Sequence, residues 1–298
     1  MDLSACTCCP RQCGVDRLAG EKGYCRVTGE NVFLGRAALH FYEEPCISGK
    51  EGSGAVFFSG CSLRCVYCQN KELSDFTVGK EVTPERLAEI FLELQKQGAN
   101  TLNLVTPTHY ACQIEKALKR AKSCGLSIPV VYNTGGYEAV STLKELAGLI
   151  DVYLTDFKYM DPLLAAKLSG AEDYPERAKE ALSEMVRQCP KSVFNERGIM
   201  TKGVLIRHLL LPGHVRNGKD TVGYVYRTYG DRVWFSLMNQ YTVLHVFPDC
   251  PELNRTVTKR EYERFINYAL GLGVKNAFIQ EGGTEKESFI PAWDYEGV

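Results

Sequence analysis

The sequence has no run of about 18 apolar residues, so no membrane span is expected. It has no basic block either: Lys and Arg (35) nearly balance Asp and Glu (36), for a net charge of −1. Composition therefore gives no reason to expect a nucleic-acid partner. The polar N-terminus lacks the apolar core of a signal peptide, and a cytoplasmic location is the expectation. No internal repeat, low-complexity segment or long linker interrupts the 298 residues, which suit one large α/β domain with an appendage. Cysteine is plentiful, at 13 residues. The number is odd and the residues are bunched, which fits metal sites better than a disulfide framework. Thiols stay free to bind metal in a reducing compartment.

Cys61, Cys65 and Cys68 fall in G-C-S-L-R-C-V-Y-C-Q-N, from Gly60 to Asn70. The apolar run Ala55-Val56-Phe57-Phe58 just before it reads as a buried strand. The thiols then lie in a loop leaving that strand's C-terminal end. Iron–sulfur clusters normally take four Cys. Three leave one iron open, as a catalytic zinc site keeps one position free for substrate. The alternatives are a zinc knuckle, a C-x2-C redox pair and buried free thiols. Zinc would want a fourth ligand, and Gln69 and Asn70 are poor ones; a redox pair leaves Cys61 unexplained. The spacing, the aromatic Tyr67 and the strand context favour an open cluster.

This stretch resembles the cluster loop of the radical S-adenosylmethionine (SAM) enzymes. The likeness continues through C-C-P-R-Q-C-G-V-D-R, L-H-F-Y-E-E-P-C-I-S-G, L-V-T-P-T-H-Y, V-V-Y-N-T-G-G-Y-E, I-R-H-L-L-L-P-G and S-L-M-N-Q-Y-T. Together these segments resemble the pyruvate formate-lyase activating enzyme-like family, over nearly the whole chain. The resemblance implies an α/β fold, a partial (β/α)6-type radical SAM barrel. It implies a [4Fe–4S] cluster on Cys61, Cys65 and Cys68 whose open iron chelates SAM. Reductive cleavage of SAM would give a 5′-deoxyadenosyl radical that abstracts a hydrogen atom. An electron donor such as flavodoxin or ferredoxin is implied, and a glycyl-radical enzyme as the protein acted on. Radical modification of a small molecule or peptide is the alternative, ahead of a non-catalytic metal-binding module. Gln69-Asn70 follows the third cluster Cys where activating enzymes usually have His-Asn, and the extra Cys precede the triad.

Residues 1–50 read as a small Cys-rich segment and 51–298 as the barrel domain. Cys6, Cys9, Cys13 and Cys25 make two close pairs with Gly14, Gly20 and Gly23 at tight turns. That pattern suits a structural zinc or a second iron–sulfur cluster. Cys8 is the spare, able to exchange roles with Cys9, and Cys46 reads as an ordinary buried thiol.

Strand and helix signals alternate along 51–298, which argues for a parallel sheet. Strands are expected near 55–58, 101–105, 128–132, 151–154, 203–211, 233–237 and 274–279, the last running into Q-E-G-G. Helices are expected between them, near 112–123, 139–149, 162–168, 175–188 and 221–229. Another starts at Thr83-Pro84-Glu85 with Leu87, Ile90, Phe91 and Leu94 on one face. Thr258 and Glu261 form a capping box for the last helix. Polar motifs follow the strand ends, where a β/α barrel keeps its active site.

Candidates for holding SAM are Tyr67, Thr106, Thr108, His109, Asn133, Asp156, Lys158 and Arg207. The Thr hydroxyls accept hydrogen bonds from an ammonium. The resemblance suggests ribose for Asn133, and Asp156 and Lys158 alternate into the site. Arg207 lies in an apolar strand, where a charge is expensive unless paired. It needs a carboxylate, that of SAM or one such as Asp156. His109 reads equally well as a helix cap, and His208 as a packed histidine facing the other way. Asn239, Gln240 and Tyr241 are the candidates for substrate contact.

Overall fold

The computed structural model describes residues 1–280 and 291–298. Glu281, Gly282 and Gly283, the end of the Q-E-G-G motif, lie outside the described residues. The strands are β1 (Val32–His40), β2 (Ser53–Phe58), β3 (Lys80–Val82), β4 (Leu102–Val105), β5 (Val130–Thr134), β6 (Val152–Asp156), β7 (Val193–Phe194), β8 (Met200–Leu209), β9 (Trp234–Met238) and β10 (Ala277–Ile279). The helices are α1 (Pro45–Ser48), α2 (Lys71–Ser74), α3 (Pro84–Lys96), α4 (Ala111–Ser123), α5 (Val140–Glu145), α6 (Pro162–Ser169), α7 (Tyr174–Gln188), α8 (Val215–Tyr229) and α9 (Lys259–Gly271).

Strands β2, β4, β5, β6, β8, β9 and β10 are parallel and lie side by side in chain order. These are the seven expected strands. Right-handed crossovers that always step the same way put their helices on one face of the sheet. The other face becomes concave, giving an open β/α barrel. On the β2 side the sheet gains β1, antiparallel to β2, and then β3, antiparallel to β1. Neither was expected, nor was the short β7 on β8. Residues 32–40 thus join the main sheet, although they lie within the stretch read from sequence as the Cys-rich segment.

Side-chain alternation sorts the two faces. Leu104, Tyr132, Tyr153 and Ile206 face the helices and pack with Phe91, Ile114, Met185 and Val222. The next residues along these strands point inward. Val131, Val152, Leu154 and Leu205 make an apolar floor, plugged by Cys46 and Ile47 of α1. One step further toward the C-terminal ends, the inward row turns polar at Asn133, Asp156 and Arg207. Local signals set the helix boundaries. Thr83 caps α3 through the Arg86 N–H, and Asp161 caps α6 through the Leu163 and Leu164 N–H groups. Among the described residues no helix is long and apolar enough to cross a membrane.

Candidate active site

The loop after β2 starts at Gly60, whose φ is +88° and whose added Cβ would meet the Cys25 carbonyl oxygen at 2.8 Å. Only glycine suits both constraints. Beyond it Cys61, Cys65 and Cys68 border one cavity of about 210 Å³ at the C-terminal ends of the parallel strands. Ser169 Oγ donates to Cys65 Sγ at 3.0 Å, and the Leu63 N–H to Cys61 Sγ at 3.4 Å. Burial and the neighbouring thiols push Cys61 up to about 11 and Cys68 up to about 12. The three thiols border the cavity, and thiolates around a space larger than one ion suit an iron–sulfur cluster.

Opposite the thiols, four charged groups and one amide are locked together. Arg207 Nε donates to Asp156 Oδ1 at 2.9 Å, Nη1 to Glu43 Oε2 at 3.1 Å and Nη2 to Asn133 Oδ1 at 2.6 Å. Asn133 Nδ2 donates to Glu43 Oε1 at 3.1 Å, and Lys158 Nζ to Asp156 Oδ2 at 2.5 Å. Asp156 and Arg207 are direct neighbours across β6 and β8, the register that favours an opposite-charge pair. Burial alone would raise the Asp156 carboxyl, but Lys158 and Arg207 hold it down at about 2. Lys158 is correspondingly raised by Asp156, against its own burial. Both cations therefore stay charged at neutral pH, and both line the cavity.

Tyr67, Thr106, Gln240 and Tyr241 line the same cavity. Tyr67 OH is 2.7 Å from Tyr159 OH. Thr106 has φ +61°, an uncommon value for a β-branched residue, and its N–H bonds the Asn133 carbonyl at 2.8 Å. Tyr241 is buried, with its hydroxyl on the Leu253 carbonyl at 2.7 Å. A neighbouring cavity of about 410 Å³ shares Asn133, Arg207 and Gln240 and opens past Glu43.

Three of the expected residues lie elsewhere. Thr108 is buried behind the strand ends, donating to Glu138 Oε1 at 2.5 Å. His109 is buried with Nε2 on the Ser59 carbonyl at 2.8 Å, and burial drives its pKa down to about 3. It borders the N-terminal cysteines rather than the strand-end cavity. The 3-10 turn Thr108–Tyr110 carries both side chains away from the strand-end cavity. Asn239 is buried beneath it, its N–H on Gln280 Oε1 at 2.8 Å. His208 packs as expected, with Nδ1 2.7 Å from the Phe157 carbonyl oxygen. Sequence reasoning missed Glu43. The signal was Arg207 in an apolar strand, which calls for an acid without saying which. The N-terminal Cys6, Cys9, Cys13 and Cys25 gather around a separate small cavity.

A parallel β/α array with three thiols beyond its first parallel strand defines a class of metal-dependent barrel enzyme. The radical SAM superfamily model matches residues 55–214, and the chain belongs to that superfamily. Over 273 residues it is 28% identical to an uncharacterized protein of Methanocaldococcus jannaschii, covering 89% of this chain and 74% of the relative. Over 111 residues it is 30% identical to the pyruvate formate-lyase-activating enzyme of Clostridium pasteurianum, covering 36% of this chain and 45% of that protein. A crystal structure of a domain of pyruvate-formate lyase-activating enzyme from Bacteroides vulgatus aligns with a TM-score of 0.42 at 16% identity, over 58% of this chain and 92% of that domain.

Proposed function

We propose that this radical SAM enzyme binds its cluster on Cys61, Cys65 and Cys68 and its SAM on the facing polar wall, and that it abstracts hydrogen from a glycine of a partner enzyme. The observation that carries the reading is the shared cavity: three thiols on one side, Asn133, Asp156, Lys158 and Arg207 on the other. Soft thiolates suit iron, and a fixed pair of cations suits an anionic cofactor group. When bound, a [4Fe–4S] cluster and SAM supply one-electron chemistry that ends in hydrogen abstraction, and the protein supplies positioning and shielding.

Lys158 and Arg207 offer charge to a carboxylate, while Asp156 and Glu43 keep both cations oriented. Asn133 is fixed by Glu43 and Arg207, with its carbonyl aimed at the guanidinium. Thr106 presents a hydroxyl for an ammonium or ribose group. Gln240 and Tyr241 border the same cavity and are the residues read as meeting a target there. A flavodoxin or ferredoxin is the electron donor this reading implies. The glycine target is inferred from the named activating-enzyme relative.

The test has two stages. The anaerobically reconstituted protein, given SAM and a strong reductant, should yield 5′-deoxyadenosine, and replacing Cys61, Cys65 and Cys68 with Ala should abolish it. Undiminished product in the triple variant would sink the cluster assignment. Adding soluble extract of the source cells should then give a protein-bound doublet by electron paramagnetic resonance that follows a separable large protein. Turnover with a small-molecule or peptide fraction and no doublet would favour the alternative substrate class.

A further inference from the structure

We infer that the N-terminal cysteines form a second metal site, a tetrathiolate zinc held by Cys6, Cys9, Cys13 and Cys25 and charge-balanced by Arg17. The inference is independent of the substrate reading above. Cys6, Cys9, Cys13, Cys25 and Arg17 all border a small cavity of about 20 Å³, room for one atom-sized guest.

The local backbone is built of turns. The Gln12 N–H bonds the Cys9 carbonyl at 3.0 Å, and the Arg26 N–H bonds the Gly23 carbonyl at 3.0 Å. Gln12, Gly14 and Arg26 all take positive φ. The Tyr24 N–H points at Cys13 Sγ, 3.5 Å away, and a Cβ on Gly23 would crowd that sulfur at 3.0 Å. Two turns thus face each other with thiols between them, the arrangement of a zinc knuckle.

Arg17 supplies the independent observation. It is 1% exposed, yet its hydrogen bond goes to a neutral acceptor, the His109 carbonyl, at 2.7 Å. Nε and Nη2 have no hydrogen-bond partner, the guanidinium lies 5.8 Å from the centre of the Tyr110 ring, and among the described residues no carboxylate pairs with it. A guanidinium keeps its charge, and a buried charge needs an opposite one. A single water in the cavity would answer the hydrogen bonds but not the charge. Zn²⁺ displaces four protons from four thiols and leaves a net charge of about −2, one unit of which Arg17 offsets. Cys8 also borders the cavity; it is buried with Leu3 and Cys112, against which Cys6 also packs, and it is the fifth thiol of the group. Among the described residues no three of these groups already converge on one ion. Ligation therefore turns the thiols inward, which Cys13, exposed, and Cys6, half-buried, have room to do.

The test uses the chain with Cys61, Cys65 and Cys68 replaced by Ala, so that its outcome does not depend on the first cluster. Produced in zinc- and iron-replete medium, it should hold about one zinc per chain and little iron. Adding Cys13→Ala and Cys25→Ala should remove the zinc. Arg17→Met should keep the fold but speed zinc loss to a chelator at least tenfold. Should the cysteine variants fail to fold, thiol alkylation decides: in the triple variant a chelator should expose about four further thiols. A metal-free chain, or alkylation unchanged by chelator, would overturn the site. Iron and sulfide in place of zinc would overturn the zinc assignment.

Discussion

Arg207 shows how one residue organises the polar wall. Its guanidinium meets Asp156, Glu43 and Asn133 at once, and all of these side chains are largely buried. Removing the cation leaves Asp156 with Lys158 alone and Glu43 with only the Asn133 amide, and breaking such a buried pair costs about 3–5 kcal/mol. Arg207→Met should therefore lower the unfolding free energy by that order and abolish 5′-deoxyadenosine formation. A variant that melts like the parent and still turns over would separate Arg207 from both roles. Glu138 poses the opposite case. Burial lifts its carboxyl from 4.5 to about 7, although Thr108, Thr134 and Tyr132 all donate to it. A carboxyl with a raised folded-state pKa favours the native chain while protonated. Its contribution is complete below about pH 4.5 and is lost as pH rises through about 7. Urea midpoints at pH 5 and pH 8 should differ less in Glu138→Gln than in the wild type, by up to about 3 kcal/mol. Equal slopes in the two proteins would refute this, because Glu44, raised in the same direction by burial, is common to both.

At the scale of elements, the strongest sequence signals were local chemistry. The capping box at the start of α9 is present, with the Thr258 side chain on the Glu261 N–H and Glu261 on the Thr258 N–H. Thr258→Ala should cost about 1 kcal/mol, read as a shift in the denaturation midpoint; no shift would mean that tertiary contacts alone hold the helix end. All seven parallel strands were legible because short, largely apolar stretches recur between helical periods. The antiparallel β1 was not, because Gly35 and Arg36 break its alternation. The register slips there, between Leu34 and Arg36, and a Cβ on Gly35 would strike Leu73 at 2.5 Å. Helix α8 begins at Val215, earlier than the start near residue 221 expected from sequence. Gly218 lies within a helix because a side chain there would press on His208, Leu210 and Phe265 at 3.1 Å. The candidate site divides along the same line. Asp156 and Lys158 were read from alternation, and Arg207 from a charge in an apolar strand; with Asn133 they border the strand-end cavity. Thr108, His109 and Asn239 lie outside that cavity, and sequence could not place them because loop geometry after a strand has no fixed period.

Across the whole molecule, the Cys-rich start is fastened to the loop that carries the thiol triad. Arg11 donates from Nε to the Ser62 carbonyl at 2.9 Å, from Nη1 to Gly170 at 2.5 Å and from Nη2 to Ser169 at 3.0 Å. Its guanidinium also lies 3.8 Å from the centre of the Tyr24 ring, whose hydroxyl donates to the Leu63 carbonyl. Ser62 and Leu63 fall between Cys61 and Cys65, and Ser169 hydrogen-bonds Cys65 Sγ. One side chain of the N-terminal segment thus fixes the loop, the end of α6 and, through Ser169, a thiol. Hydrogen bonds from a charged donor contribute about 1.5–3 kcal/mol each, less where solvent reaches them. Arg11→Ala should therefore destabilise the chain by about 2 kcal/mol and loosen the loop most. The reconstituted variant should lose iron to a chelator several times faster than the wild type. Arg11→Lys, with one ammonium in place of a fork, should fall between the two. If Arg11→Ala lowers the melting temperature but leaves the rate of iron loss unchanged, the N-terminal segment stabilises the fold without bracing the triad loop. If neither changes, the contacts of Arg11 are incidental.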